Sequence, residues 1–394
     1  MLFTTSIFPV NMLVMHNRFP KLPTNKNSFF LFGPRGTGKT TWIKTQAENA
    51  VYIDLLDAEI FTALLANPGR LIHMIPPKHD GWVVLDDVQR VPECLNTVHQ
   101  LIESKKTRFI LTGSSARKLR TKSSNLLAGR AHTYHLYPLT AAELGADFNL
   151  KNALQYGHLP AIFSQEDPKK LLHAYIQTYL KEEILQEGIT RNLGSFSQFL
   201  EAMSFSQGNT LTLTQIAQSV GLNRSTVTEY VSILEDLLIA YRLPVFKKRA
   251  KRRLVSHDKF YFFDAGVYRA IRPQGPLDSP EEAEGPALET LFLQELIALN
   301  HYADWGYSIY YWRTHHGVEV DFILYGEKGL FAFEIKRSNR IDDRELKGLR
   351  LFLEDYPMAQ CFYLYGGSRT EYHDNITVLP LDSAFRTLSA ILGG

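Results

Sequence analysis

Cysteine is nearly absent from the chain. Cys94 and Cys361 stand alone, far apart and in no metal-ligand spacing. A disulfide scaffold and a zinc module are therefore excluded, and a reducing compartment with plain packing roles is expected. A long apolar run is missing too, since no stretch reaches the roughly 18 uninterrupted apolar residues of a membrane helix. The apolar start MLFTTSIFPVNMLVM lacks a basic flank and contains Pro9, which argues against a secretory leader. Nor does one sign of charge dominate. Lys and Arg total 43 against 41 Asp and Glu, a formal +2, so affinity for a polyanion must reside in a local patch. No repeat or low-complexity tract breaks the pattern. The 394 residues exceed one ordinary core, and two or three domains of a cytoplasmic protein without membrane contact are expected.

What is present is concentrated in Ser28 to Ile43, SFFLFGPRGTGKTTWI. The strand-like run Phe29–Phe32 ends in Gly33-Pro34-Arg35-Gly36-Thr37-Gly38-Lys39-Thr40, which matches G-x-x-x-x-G-K-[ST] at every fixed position. Gly33, Gly36 and Gly38 free the backbone to turn its N–H groups onto phosphate. Lys39 then reaches the β- and γ-phosphates, and the Thr40 hydroxyl ligates Mg²⁺. The helix beginning near Lys39, with Thr41 in its first turn, points its positive end at the same place. Residues 33–41 are thus the expected site for a nucleoside triphosphate, taken as ATP with Mg²⁺.

Downstream, apolar runs alternate with helical pattern, which points to a parallel sheet with its site at the strand ends. Ala50–Leu55 reads as a buried strand, a helical pattern covers Ala58 to Ile75, and Trp82–Leu85 is a strand ending in Asp86-Asp87. Asp86 is expected to hold Mg²⁺. Asp87 is placed to polarise the attacking water, although a helix cap has the same appearance. A further strand, Thr107–Ser115, ends in small hydroxyl residues, of which Ser114 is placed to bond the γ-phosphate or that water, or simply to make a turn.

The order GPRGTGKT, VVLDDVQRVP, ILTGSSARKL and LLAGR resembles a family of bacterial and archaeal AAA-type ATPases with a C-terminal extension of poorly defined function. The resemblance implies that Arg130 senses the γ-phosphate, in its own subunit or a neighbour's, and leaves ring-like self-assembly open. A surface ion pair is the other reading of Arg130. Such proteins usually carry Asp-Glu where this chain has Asp86-Asp87, and the shorter side chain makes slow hydrolysis the expectation.

In the middle third, Tyr175–Ile184 is amphipathic and expected to pack a lid against the sheet. Thr214–Val231 reads as helix, Gly turn, helix. Ile216, Ala217, Val220, Leu222, Val227 and Val231 fall inward, leaving Asn223, Arg224, Ser225, Thr228 and Glu229 outward. Two wing-like strands should follow, with Lys247-Lys248-Arg249-Ala250-Lys251-Arg252-Arg253 between them, six basic residues in seven. That run is either a phosphate-contacting patch for DNA or a solvated hairpin tip. A winged helix also serves as a protein-interaction module.

The last third carries a second constellation. A two-residue turn at Glu327-Lys328 sets Asp321 opposite Glu334, and the two-residue strand period puts Lys336 on the same face. Asp321…Glu334-x-Lys336 resembles the D…E-x-K signature of restriction-endonuclease-like nucleases. The resemblance implies a Mg²⁺ site of Asp321, Glu334 and Glu289, with Glu334 and Lys336 catalytic. Simple ion pairs would give the same residues. The expected class is α/β: a P-loop NTPase sheet with a helical lid over 1–190, a winged helix-turn-helix over 191–265, and a restriction-endonuclease-like α/β domain over 266–394. The function expected is Mg-ATP control of DNA engagement. An ATP-gated nuclease and an ATP-dependent protein-binding switch are the alternatives.

Overall fold

The computed structural model describes residues 16–23, 27–115, 117, 119, 131–180, 193–250, 252–276 and 279–393. Its first part is a sheet of β1 (Ser28–Phe32), β2 (Val51–Asp54), β3 (Trp82–Asp86), β4 (Arg108–Gly113) and β5 (Ala131–His135). All pairings are parallel, in the order β2-β3-β4-β1-β5. Alternate residues of β1 face opposite clusters, Phe30 and Phe32 on one side and Phe29 and Leu31 on the other. Both faces are covered, as a parallel sheet requires. The order matters for the site. Because β4 lies between β1 and β3, the residues after β4 fall between the P-loop and the acidic end of β3. The helical stretch expected over 58–75 divides into the helix Ala58–Ala66 and the 3-10 segment Pro68–Met74. Pro68 cannot continue the first helix, and the Asn67 side chain caps the second segment through Gly69 N–H.

The middle region contains the helices Leu193–Ser204, Leu213–Ser219 and Arg224–Asp236, then an antiparallel pair, β6 (Ala240–Leu243) and β7 (Lys259–Phe262). Gly221 makes the turn between the second and third helices at φ +65°, a conformation that glycine adopts without a steric penalty. Just after β7, Asp264 caps the helix Ala265–Ile271 through Val267 N–H at 2.9 Å. The same carboxylate accepts His158 N–H at 2.8 Å. A Cβ at Gly266 would collide with the Tyr156 carbonyl, so the helix packs backbone to backbone on residues 156–157.

The C-terminal region wraps a six-stranded mixed sheet around the helix Pro280–Tyr302. Its strands are β8 (Ser308–Arg313), β9 (Glu319–Gly326), β10 (Gly329–Ile335), β11 (Gln360–Tyr365), β12 (Glu371–His373) and β13 (Ile376–Pro380), in the order β12-β13-β11-β10-β9-β8. One continuous core joins this region to the middle one. Phe292 packs against Phe322 and Phe333 at tilted angles and edge-on against Phe385, and Tyr261 of β7 packs on Phe322. The expected boundary at 265/266 therefore cuts through shared packing. The connection between β6 and β7 departs from the expected wing tip. It lies along β8, with Phe246 N–H bonded to Tyr311 O at 2.7 Å and Val255 N–H to Arg313 O at 3.2 Å. Phe246, fully buried among Trp312, Phe352 and Tyr356, holds it there.

Candidate functional site

The P-loop leaves β1 and enters the helix Lys39–Gln46 as expected, with Gly36 and Gly38 at φ +83° and +85°. A Cβ on Gly33 would strike the Leu136 carbonyl, so only glycine lets the chain turn there. Lys39 Nζ donates to the carbonyls of Gly33 at 2.8 Å and Pro34 at 3.1 Å. Pro34 O also receives the Thr37 hydroxyl at 2.9 Å. Around the loop is a cavity of about 360 Å³, lined by residues 35–41 with Asp86, Asp87 and Ser114. Its other wall comes from His16, Arg18, Leu139, Pro160 and Ala161. The middle region thus closes over the loop, and Tyr175 adds a hydrogen bond from its hydroxyl to Arg35 O at 3.0 Å.

Thr40 Oγ1 donates to Asp86 Oδ2 at 3.0 Å, so the hydroxyl and carboxylate expected to share Mg²⁺ already meet. The hydroxyls of Tyr52 and Thr112 also bond to the Asp86 carboxylate. Oxygen donors of this kind, one carboxylate beside one hydroxyl, suit Mg²⁺ that takes its remaining ligands from phosphate and water. Asp87 sits at φ +60° and donates its N–H to Thr112 Oγ1 at 3.1 Å. Gln89 Nε2 ties its carboxylate, at 3.2 Å, to Ser114 Oγ, at 3.5 Å. Burial, with Asp86 adding to it, pushes the Asp87 carboxyl above its ordinary range, against the pull of Lys39. Asp86, Asp87 and Ser114 are therefore brought together with the P-loop. Tyr52, Thr112 and Gln89 were missed. A hydroxyl residue near the ends of both strands flanking β3 was the signal for the first two. Arg130 lies outside the described residues.

At the C-terminal constellation, β9 and β10 pair with Phe322 opposite Phe333, the register that sets Asp321 beside Glu334. Lys336 Nζ reaches Glu334 Oε1 at 2.6 Å and Asp321 Oδ2 at 3.8 Å. Asp321 Oδ2 also accepts Ile335 N–H at 2.9 Å. Burial and the neighbouring Asp321 push the Glu334 carboxyl up to about 8. Glu289, expected as a metal ligand, instead accepts the Tyr261 hydroxyl at 2.6 Å and pairs with Lys259 at 3.6 Å. Lys259 also pairs with Glu319 and lies 4.0 Å from Asp321. Among the described residues no three His, Cys, Asp or Glu side chains converge as a cation site. The donors expected for Mg²⁺ here are taken up by two ammonium groups, Glu289 by Lys259 and Glu334 by Lys336 with Asp321 near both, so as arranged they do not fit a divalent ion.

Arg224, Ser225 and Thr228 are exposed on the first turns of the helix Arg224–Asp236, beside Asn223 and Glu229. Of the basic run, Lys247, Lys248, Arg249 and Arg253 are exposed, and Lys251 lies outside the described residues. Arg252 pairs with Glu354 at 2.5 Å and Asp355 at 3.1 Å. Lys248 lies over the Tyr325 ring, 4.1 Å from its centroid. Arg252 is thus engaged in ion pairs and Lys248 rests on a ring while staying exposed, because Phe246 anchors the run to the C-terminal sheet.

Three family profiles match along the chain. An "AAA domain" covers residues 25–145, and two domains of unknown function, DUF8612 and DUF4143, cover 147–278 and 284–384. Uncharacterized proteins of Mycobacterium tuberculosis and Mycobacterium bovis are each 27% identical over 368 residues, 91% of this chain and 80% of theirs. One from Haemophilus influenzae is 22% identical over 213 residues, 49% of this chain and 53% of its own. Two solved structures overlay loosely. The Aeropyrum pernix ORC2 protein in its ADP form is 12% identical, covering 67% of this chain and 88% of its own at a TM-score of 0.33. Protein VC1899 from Vibrio cholerae is 11% identical, covering 93% and 97% at 0.24. Among the described residues no helix is long and apolar enough to cross a membrane. With its P-loop, its acidic strand end and the profile match over 25–145, the chain carries an AAA-type P-loop ATPase domain.

Proposed function

We propose that this protein is a slow Mg-ATP hydrolase whose nucleotide state governs how its middle region engages DNA. The observation that carries the reading is the double attachment of the middle region to the nucleotide site. Pro160, Ala161 and Tyr175 close one side of the cavity. On the other, Arg117, just beyond Ser114, pairs with Asp236 at the end of the helix Arg224–Asp236 at 3.2 Å. A change at the phosphates is thereby passed to the helix that presents Arg224, Ser225 and Thr228.

In the chemistry supported here, Lys39 and the P-loop amides hold the β- and γ-phosphates. Thr40 and Asp86 would hold Mg²⁺, which supplies positive charge to the phosphate oxygens when bound. Asp87 takes the proton from the attacking water as its oxygen bonds to the γ-phosphorus and the bond to the β–γ bridging oxygen breaks. Ser114 and Gln89 hold that carboxylate and the water in line. ADP and phosphate are the products.

Fluorescence anisotropy on a labelled duplex, with and without ATP, tests the reading. Wild type should bind at low salt with an affinity that ATP changes by about tenfold, a typical coupling. Arg224→Ala should weaken binding by about tenfold, the loss expected of one base or phosphate contact. Lys39→Ala should keep the nucleotide-free affinity and lose the response to ATP. Absence of duplex binding at low salt, or binding indifferent to ATP, overturns the proposal.

A further inference from the structure

We infer that the Lys259 ammonium stands where a divalent cation would sit in the C-terminal region, and holds that region's acidic cluster closed.

Lys259 is supplied by β7 of the middle region, yet its side chain is only 3% exposed and its Nζ lies inside the C-terminal cluster. It meets Glu289 at 3.6 Å from the long helix, and Asp321 at 4.0 Å and Glu319 from β9. The two-residue period of β7 aims Lys259 and Tyr261 the same way, and the Tyr261 hydroxyl bonds to Glu289 at 2.6 Å. Among the described residues, the other cations that meet the cluster come from more exposed side chains. Lys336 binds Glu334 and Asp321, and Arg313 meets Glu319 at 3.4 Å. The Tyr311 ring closes one side, its centroid 5.4 Å from Nζ.

With Lys259 in place, no three of these carboxylates converge closely enough to hold a metal ion. Carboxylate oxygens from separate elements are nonetheless the donors a hard divalent cation, Mg²⁺ or Mn²⁺, would draw together if the ammonium left. An ammonium supplies one charge where such an ion supplies two, so it leaves part of the oxygen set unmet. The structure carries that mark. Glu334, 8% exposed in its side chain, keeps its Oε2 buried without a hydrogen-bond partner. Ion pairing with Lys259 accounts for Glu289, Glu319 and Asp321, and pairing with Lys336 accounts for one Glu334 oxygen. The other is an unmet buried acceptor, which is destabilising unless something else uses it. A divalent ion and Lys259 cannot share the centre. Cation binding therefore requires β7 to withdraw, and β7 runs on into Asp264, which holds His158 beside the nucleotide cavity wall.

The test is Mn²⁺ titration of EDTA-stripped, nucleotide-free full-length protein, read by calorimetry and by Tm. Neither readout uses DNA or ATP, so failure of the DNA reading leaves this inference standing, and the reverse. Wild type should show no Mn²⁺ site that depends on Asp321. Lys259→Ala should melt lower in EDTA, recover Tm in Mn²⁺ and bind the ion at least about tenfold more tightly. Adding Asp321→Asn should remove the recovery. Where Lys259→Ala does not fold, Lys259→Met with Glu289→Gln removes one charge of each sign, and the same criterion applies. A wild-type site abolished by Asp321→Asn overturns the inference, as does a folded Lys259 variant that gains no response to Mn²⁺.

Discussion

Asp86 and Asp87 are neighbours in sequence with different surroundings, and the proposed hydrolysis would use that difference. Asp86 accepts hydrogen bonds from the hydroxyls of Thr40, Tyr52 and Thr112. Burial, with Asp86 beside it, pushes the Asp87 carboxyl above its ordinary range, which would improve it as the proposed base. Asp87→Asn should leave ATP binding intact and lower the hydrolysis rate by about a hundredfold, within the range of general-base catalysis. The base works only when deprotonated. Its raised pKa therefore moves the acid limb of the kcat profile above the ordinary carboxylate range, and the rate falls as pH drops through that raised value. Steady-state phosphate release against pH measures both effects. A binding loss equal to the rate loss would make Asp87 a ligand for the nucleotide instead. These two aspartates and the P-loop were legible because each motif is contiguous. Tyr52 and Thr112 were not, since only the parallel pairing of β2, β3 and β4 brings them to Asp86.

Single elements here serve two regions at once. β7 sends Lys259 and Tyr261 into the C-terminal cluster, and Asp264 beyond it fixes the turn at His158. The helix that follows begins at Ala265 and crosses residues 156–157 so closely that Gly266 has no room for a Cβ. Gly266→Ala should destabilise the protein by about 3 kcal/mol, the upper part of the range for forced overpacking. Urea denaturation measures the loss, and ATP affinity should fall with it, because the cavity wall at Pro160 hangs from the same turn. Unchanged stability would mean that the two helices separate freely. Regular elements of this region were read well from hydrophobic spacing, and Ile216, Ala217, Val227 and Val231 are all buried. The tight crossing at Gly266 was invisible, because a helix sequence does not state how near its neighbour's backbone will come.

At the scale of the whole molecule, the chain does not divide where its motifs do. The core that begins near Tyr137 runs on to Leu392, and the stretch between β6 and β7 belongs by sequence to the middle region but by packing to the C-terminal one. Composition could not reveal this. Six basic residues dominate the segment, while the residue that decides its place is Phe246, whose partners Trp312, Phe352 and Tyr356 lie more than sixty residues away. Arg252, held by Glu354 and Asp355, fastens the far end. Beyond its backbone bonds to β8, the described part of the strap is held by the Phe246 ring and by the Arg252 ion pairs, and the ring is the stronger term. Phe246→Ala empties a fully buried site and should destabilise the protein by about 3–5 kcal/mol. Arg252→Ala leaves the buried Asp355 carboxylate without its guanidinium and should cost about 1–3 kcal/mol. Limited trypsin digestion separates them directly, since the run between Lys247 and Arg253 is rich in cleavage sites. Cleavage there should accelerate strongly in Phe246→Ala and only slightly in Arg252→Ala. Equal rates for wild type and Phe246→Ala would mean the strap is already free in solution, and the basic run would then return to being an open phosphate-binding patch.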